Sequence, residues 1–157
     1  MRRIIPFIIA ASLVTACSSI DCPLNNVVMT KYVLGGNVDV LEDSLSVSIL
    51  RSDGKDSLWL NRLTEAKDFL LPVSFHEPAD VFLFKFKGED VDLTDTVTIE
   101  KTNTPHFESV DCGPTYFHTI NHVSWTYHAI DSIVITKAQV NYDTSKGHLL
   151  LYLKRYR

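Results

Sequence analysis

Ser44-Leu45-Ser46-Val47-Ser48-Ile49-Leu50-Arg51-Ser52-Asp53-Gly54-Lys55 is the stretch that sets the fold class of this chain. Leu45, Val47 and Ile49 alternate with Ser46 and Ser48. Residues i and i+2 share one face of a strand, so the three aliphatic side chains form one buried stripe and the serines face the other way. Helical geometry would scatter the same residues around the axis. The run ends at Asp53-Gly54, a pair that accepts the positive φ of a tight hairpin turn.

The same pattern recurs along the chain. Phe69, Leu71, Val73 and Phe75 make one row. Val97 and Ile99 alternate with Thr96, Thr98 and Glu100. Val123, Trp125 and Tyr127 oppose His122, Ser124, Thr126 and His128, and Leu149, Leu151 and Leu153 form the last row. Val27 to Leu34, Val81 to Lys87 and Ser132 to Thr136 are partly apolar on both faces and are expected to be central strands. Gly35-Gly36-Asn37, His76-Glu77-Pro78, Lys87 to Asp90, Cys112-Gly113-Pro114 and Asn141 to Gly147 supply the turns. The one helix-like stretch is Arg62 to Asp68, about two turns long. Short strands at this spacing predict an all-β, single-domain antiparallel β-sandwich, immunoglobulin-like or a related Greek key, with a barrel as the second choice. The domain is expected over residues 27–157.

The N-terminus carries a different signal. Met1-Arg2-Arg3 is short and positive, and Ile4 to Val14 is an apolar run of 11 residues. A spanning helix needs about 20, so residues 1–16 read as an export signal. Val14-Thr15-Ala16-Cys17 resembles the lipobox of bacterial lipoproteins. In that family the cysteine thiol carries a diacylglycerol, the chain is cut before the cysteine, and the new amine is usually acylated. The resemblance implies lipid on Cys17 and a lipidated N-terminus with a short tether over residues 17–26. Several acyl chains, at about 0.8 kcal/mol per buried methylene, hold a protein on a bilayer more firmly than one chain does.

Cleavage before Cys17 removes Arg2 and Arg3. It leaves 141 residues with 13 Lys+Arg and 19 Asp+Glu, a charge of −6. That length suits one domain with its own core. The acidic balance gives no electrostatic reason to bind nucleic acid. With Cys17 lipidated, Cys22 and Cys112 remain as an even pair in an oxidising compartment, where a disulfide is expected and two free thiols are the alternative. The bridge would close a loop of about 90 residues, worth roughly 4.5 kcal/mol in the chain-entropy model.

No constellation points to chemistry. His76, His106, His118, His122, His128 and His148 invite a metal reading. On a strand, however, His118 and His122 would share a face about 13 Å apart, too far for one ion, and no metal or cofactor is expected. Glu89, Asp90, Asp92 and Asp95 lack the glycine and closing glutamate of a calcium loop and read as a solvated turn. The Phe82-Phe84-Phe86 row reads as core. Trp125 and Tyr127 are the first candidates for a binding surface. Catalytic serine, cysteine and zinc-peptidase motifs are absent from the sequence, so no catalytic residue is assigned.

Ser44, Ser57, Thr96 and Ser132 each follow an aspartate and precede an aliphatic residue. This resembles the O-glycosylation motif of exported Bacteroidota proteins. Asp-Ser and Asp-Thr also cap turns through their side chains. Asp111-Cys112-Gly113-Pro114, followed by Tyr116-Phe117 and later by His128-Ala129-Ile130-Asp131-Ser132-Ile133, resembles an uncharacterised Bacteroidota lipoprotein family. The resemblance implies place and fold and brings no catalytic residue. A run of acids after the lipid cysteine marks surface export in that lineage. Only Asp21 stands there, which favours the outer membrane with the domain facing the periplasm.

The expected protein is therefore a membrane-anchored envelope lipoprotein. Its lead function is a non-enzymatic binding or structural module with a protein or glycan partner. The alternative is a glycan-active enzyme or enzyme accessory. Nothing in the sequence sets its oligomeric state. Alkylation of the folded, unreduced mature protein is expected to label neither Cys22 nor Cys112, with intact mass as the readout; two labelled thiols would remove the bridge from this account.

Overall fold

The computed structural model describes Cys22 and residues 27–155. Those residues form ten strands and no helix: β1 (Met29–Gly35), β2 (Ser44–Leu50), β3 (Ser57–Leu63), β4 (Asp68–Pro72), β5 (Ala79–Lys87), β6 (Asp92–His106), β7 (Thr115–Trp125), β8 (Ile130–Ile135), β9 (Gln139–Val140) and β10 (Leu149–Leu153). They make a four-stranded sheet in the order β4-β1-β10-β8 and a six-stranded sheet in the order β3-β2-β5-β6-β7-β9. The expected two-layer β architecture is what folds. One pair departs from the antiparallel rule, since β1 and β10 run parallel, with Tyr32 opposite Leu149 and Leu34 opposite Leu151.

The stripes read from the sequence fill the space between the layers. Leu45 and Val47 on β2, the Phe82, Phe84 and Phe86 row on β5, and Val97 and Ile99 on β6 face inward from the large sheet. Tyr32 and Leu34 on β1, Phe69 and Leu71 on β4, and Leu149 and Leu151 on β10 answer from the small one. At the centre Tyr32 stacks on Phe69, with ring centroids 4.9 Å apart, and both tilt against Phe84 at 5.7 and 5.9 Å.

Three expectations are corrected. Arg62 to Asp68 is not a helix. It is the corner at which the chain leaves β3 in the large sheet for β4 in the small one. Arg62, at a register irregularity near the end of β3, and Glu65, beyond its end, take positive φ, 54° and 55°, a conformation no right-handed helix accommodates. The amides and carbonyls a helix would have used are bonded elsewhere: Glu65 N to Leu41 O, Leu41 N to Ala66 O and Leu34 N to Lys67 O. Ser132 to Thr136 is not central, because β8 is the edge of the small sheet and Val134 and Ile135 on it are exposed. Phe75 leaves its row. β4 ends at Pro72, and Phe75 stacks on Tyr116 at the surface with centroids 5.1 Å apart.

The route from β7 to β8 crosses between the layers, and one side chain fixes it. Asp95 is in phase with Val97 and Ile99 and so points inward, fully buried. Its carboxylate accepts from Thr126 Oγ1 (2.7 Å), His128 N (2.7 Å), Ala129 N (2.7 Å) and Ile130 N (2.8 Å). Burial raises its pKa, and these four bonds outweigh burial and leave the pKa lowered. Asp95 therefore belongs to the fold, not to the solvated acidic turn expected from the sequence. Hydrogen bonds to a charged group are worth about 1.5–3 kcal/mol each, and a lost partner leaves buried donors unpaired. Asp95→Ala is accordingly expected to lower unfolding free energy by about 3 kcal/mol or more in urea titration, and a change within about 0.5 kcal/mol would be that of an ordinary surface site.

Candidate functional site

Strand register sorts the functional candidates to the two ends of the sandwich. Ser44 on β2 pairs with Lys87 on β5, and Lys87 with Asp92 on β6, at one end. His106 pairs with Thr115 at the other, where the β6–β7 hairpin turns. Cys22 is bonded to Cys112 in that hairpin, with Cα atoms 5.5 Å apart. Cys17, the expected lipid site, lies outside the described residues.

Inside the hairpin end is a buried polar group of side chains that pattern reading passed over. Asp80 on β5 and Lys101 on β6 point inward and pair at 3.1 Å, with the Lys101 side chain fully buried. Lys101 Nζ also donates to Glu77 O (2.7 Å), and Ser74 N donates to the Asp80 carboxylate (3.3 Å). Burial raises the Asp80 pKa, and the Lys101 ammonium pulls it partly back. Asn103 Nδ2 donates to Phe75 O (3.1 Å) and Glu77 O (3.0 Å), which leaves Asn103 Oδ1 as acceptor for His118 Nδ1 at 2.8 Å. His118 is therefore neutral with its proton on Nδ1. Burial, and then the Lys101 cation, push its pKa down to about 4. The set binds the 74–78 segment to β6 and opens to neither of the two principal surface depressions.

Among the described residues no three metal-ligating side chains come together. His118 and His122 do not even share a face. Glu100 pairs with His122 and Lys101 with Ile120, so Asn121 is an extra residue in β7. That bulge shifts the alternation by one: His118 and Ile120 face inward, while Asn121 and His122 both face solvent. His148 is buried, and its Nδ1 accepts from Lys31 N (2.9 Å) where β10 begins. His106 stacks on Phe117 at 4.1 Å and pairs with Glu108 at 3.1 Å. His76 lies against Phe75, and His128 lies 3.4 Å from Asp95.

The end opposite the disulfide carries a cleft of about 320 Å³. Four distant segments build it: the β1–β2 connection, the end of β5 with the β5–β6 turn, the β7–β8 connection and the end of β10 with the chain leaving it. Val38, Leu41, Phe86 and Ala129 give it an apolar floor, and Glu42, Asp43, Lys154 and Arg155 a charged rim. Asp43 is packed so closely against Gly88 that a Cβ there would fall 1.9 Å from its Oδ1, so a side chain at that position would make Asp43 turn away from the rim. Arg155 Nη2 bonds Asn37 O (2.9 Å), and Lys154 N bonds Ala129 O (2.9 Å). Lys154 Nζ reaches Tyr127 O. Tyr127 thus stands beside the cleft, exposed and at positive φ (62°), with Trp125 against it at 4.9 Å. Trp125 itself is half-buried and packed on the core, so of the two candidate binding residues only Tyr127 offers a free ring. Glu42 and Asp43 are consecutive in one loop, whereas a glycosidase pair flanks its bond from opposite sides.

The four hydroxyls that match the glycosylation motif are each half-buried. Ser44 and Ser57 open β2 and β3, and Ser44 Oγ donates to Lys87 O (2.7 Å). Thr96 and Ser132 lie within β6 and β8.

A family model for a family of unknown function, DUF6452, matches residues 44–153. The chain belongs to that family. The match runs from the first residue of β2 to the last of β10. No curated protein and no solved structure matches the chain.

His118 gives the site a pH signature. Its folded pKa is depressed from 6.5 to about 4, so between those values the unfolded chain binds a proton that the native protein does not. This contribution to stability is complete above about pH 6.5 and is lost as pH falls toward 4, by up to about 3 kcal/mol. Burial lowers the His148 pKa in the same sense. His118→Gln, which keeps a donor for Asn103, is expected to unfold in urea with a shallower dependence on pH between about 6.5 and 4 than the wild type; parallel profiles would remove the histidine from this account.

Proposed function

We propose that this protein is a membrane-anchored envelope lipoprotein, lipidated on Cys17, that acts as a non-enzymatic binding module and holds its cleft away from the bilayer. The supporting observation is that Cys22, five residues beyond the lipid cysteine, is bonded to the hairpin at one end of the sandwich, while the cleft opens at the other. At about 3.3 Å per residue the 15 residues of β6 alone span roughly 50 Å. A bridge so close to the anchor makes the tether short and fixes which end faces the membrane. In this reading the membrane is the outer one, in Bacteroidota, and the domain faces the periplasm.

The cleft suits a segment of another envelope protein better than a sugar. An apolar floor accepts one or two aliphatic side chains, and a rim with two carboxylates and two cations pairs with charges of either sign. Sugar sites use flat exposed rings, and here only Tyr127 offers one. Glycan at the four Asp-Ser and Asp-Thr positions is most readily placed at Ser57, which borders the exposed Arg51–Asp56 turn.

Cys17→Ala in the full-length chain is expected to move the protein from the membrane to the soluble fraction of the envelope and to abolish incorporation of labelled palmitate. A variant that stays in the membrane fraction without lipid refutes the anchor. A photo-reactive residue at Glu42 is expected to crosslink one envelope protein in the anchored form, with the adduct lost on reversing Lys154 and Arg155 to glutamate. An adduct that survives the reversal refutes the cleft as the binding site.

A further inference from the structure

The anchored end has a surface of its own. The β6–β7 turn, His106 to Thr115, closes the large sheet at that end, and its tip carries two apolar side chains that no described residue covers. Phe107 is 62 % exposed and Val110 is 98 % exposed. Val27, the first residue after the tether, and Phe75 are exposed at the same end. The turn is held by Cys112 N to Ser109 O (3.3 Å), and Asp111 N bonds Ser109 Oγ (3.3 Å). It is a built loop, and Cys112 within it is the residue bonded to Cys22.

We infer that Phe107 and Val110 rest in the headgroup region of the bilayer that carries the lipid on Cys17, so that the domain stands on the membrane through a second, side-chain contact. This rests on the lipid-anchor reading above. The occupant follows from chain length: five residues separate Cys17 from Cys22, and at most about 3.6 Å per residue keeps them within about 18 Å of each other. The disulfide, with Cα atoms 5.5 Å apart, then keeps Cys112 within about 24 Å of Cys17, and Val110 is two residues from Cys112. A tip so tethered meets the bilayer at high effective concentration, so even a contact too weak to hold the domain alone is occupied. Aromatic and aliphatic side chains partition into the interface by burying apolar area. The charged groups of the tip set its depth. Glu108 and Asp111 are exposed beside the two apolar residues, and Glu108 pairs with His106 at 3.1 Å. Carboxylates stay in the headgroup layer, so the contact is shallow and gains nothing from anionic lipid.

The test uses the acylated full-length protein, with lipid on Cys17 verified by intact mass, in vesicles of phosphatidylcholine. In the Val110→Trp variant the added tryptophan emission, measured against wild type, is expected to shift to the blue on reconstitution. It is expected to be quenched by lipid brominated near the headgroup and less by lipid brominated near the chain ends. Including phosphatidylglycerol should leave the signal unchanged. The same reporter in a Cys17→Ala background should show neither shift nor quenching. An unshifted, unquenched tryptophan in verified acylated protein overturns the inference and leaves the anchor standing. A blue shift without lipid quenching, with tip-to-tip crosslinks between molecules, assigns the surface to a second copy and overturns it too. Absence of lipid on Cys17 overturns both readings together.

Discussion

The inward face of β5 and β6 has to accommodate two carboxylates and an ammonium, and the bonds that satisfy them hold both ends of the sandwich. Between Asp95 and Lys101 on β6 lie Val97 and Ile99, and on β5 the three phenylalanines follow Asp80 on the same face and run toward the Asp95 end. The middle is apolar and the ends are ionic. Asp95 binds the backbone that crosses from β7 to β8, and Asp80 with Lys101 binds the 74–80 segment that crosses from β4 to β5. A connection between layers has to carry unpaired amides past the edge of the core. Here buried ions pair with those amides, which costs desolvation and in return allows one path for each crossing.

That division of labour separates the two ends functionally. At the disulfide end the buried polar side chains are consumed by structure, and Phe107 and Val110 stand exposed beside Glu108 and Asp111. At the cleft end Asp95 lies behind the Thr126–Ile130 segment, and four charged side chains are left on the rim. The family match covers Phe86, Val91, Ala129 and Leu153 of that cleft, while Val38 to Asp43 and the two rim cations Lys154 and Arg155 lie outside it.

Much of the fold was legible in alternation alone. The stripes Leu45-Val47, Val97-Ile99 and Leu149-Leu151 are in the core, and the turns fall where glycine, proline and Asp-Gly stand. What failed did so for local reasons. Arg62 to Asp68 has helix-forming residues, but its backbone groups are claimed by Leu34 and Leu41, far away in sequence. The apolar content of β8 marked it as central, though only one flank is paired. Phase was available for the ions and was not used: Asp95 continues the Val97-Ile99 stripe, and Asp80 the phenylalanine row. An acid in step with an apolar stripe is a signal that a buried partner exists. Lys101 continues the Val97-Ile99 stripe at its other end, whereas the inward phase of His118 was hidden by the bulge at Asn121, which no composition rule announces. The cleft could not be read, because its floor and rim come from four segments that only the folded chain brings together.

The parallel pairing of β1 with β10 has a consequence for biogenesis. These strands are the first and last of the domain, and Lys31 and His148, bonded to each other, are 117 positions apart. β1 and β10 are also the two middle strands of their sheet, so that layer has no interior until the final segment arrives. Contacts of such long sequence separation form late, because loop closure must precede them. A nascent chain, emerging N-terminus first, would keep its small sheet open until β10 had been made. Until then β4 and β1 form a two-stranded flap with one edge unpaired, and β8 has no neighbour at all, so the layer closes in a single late step.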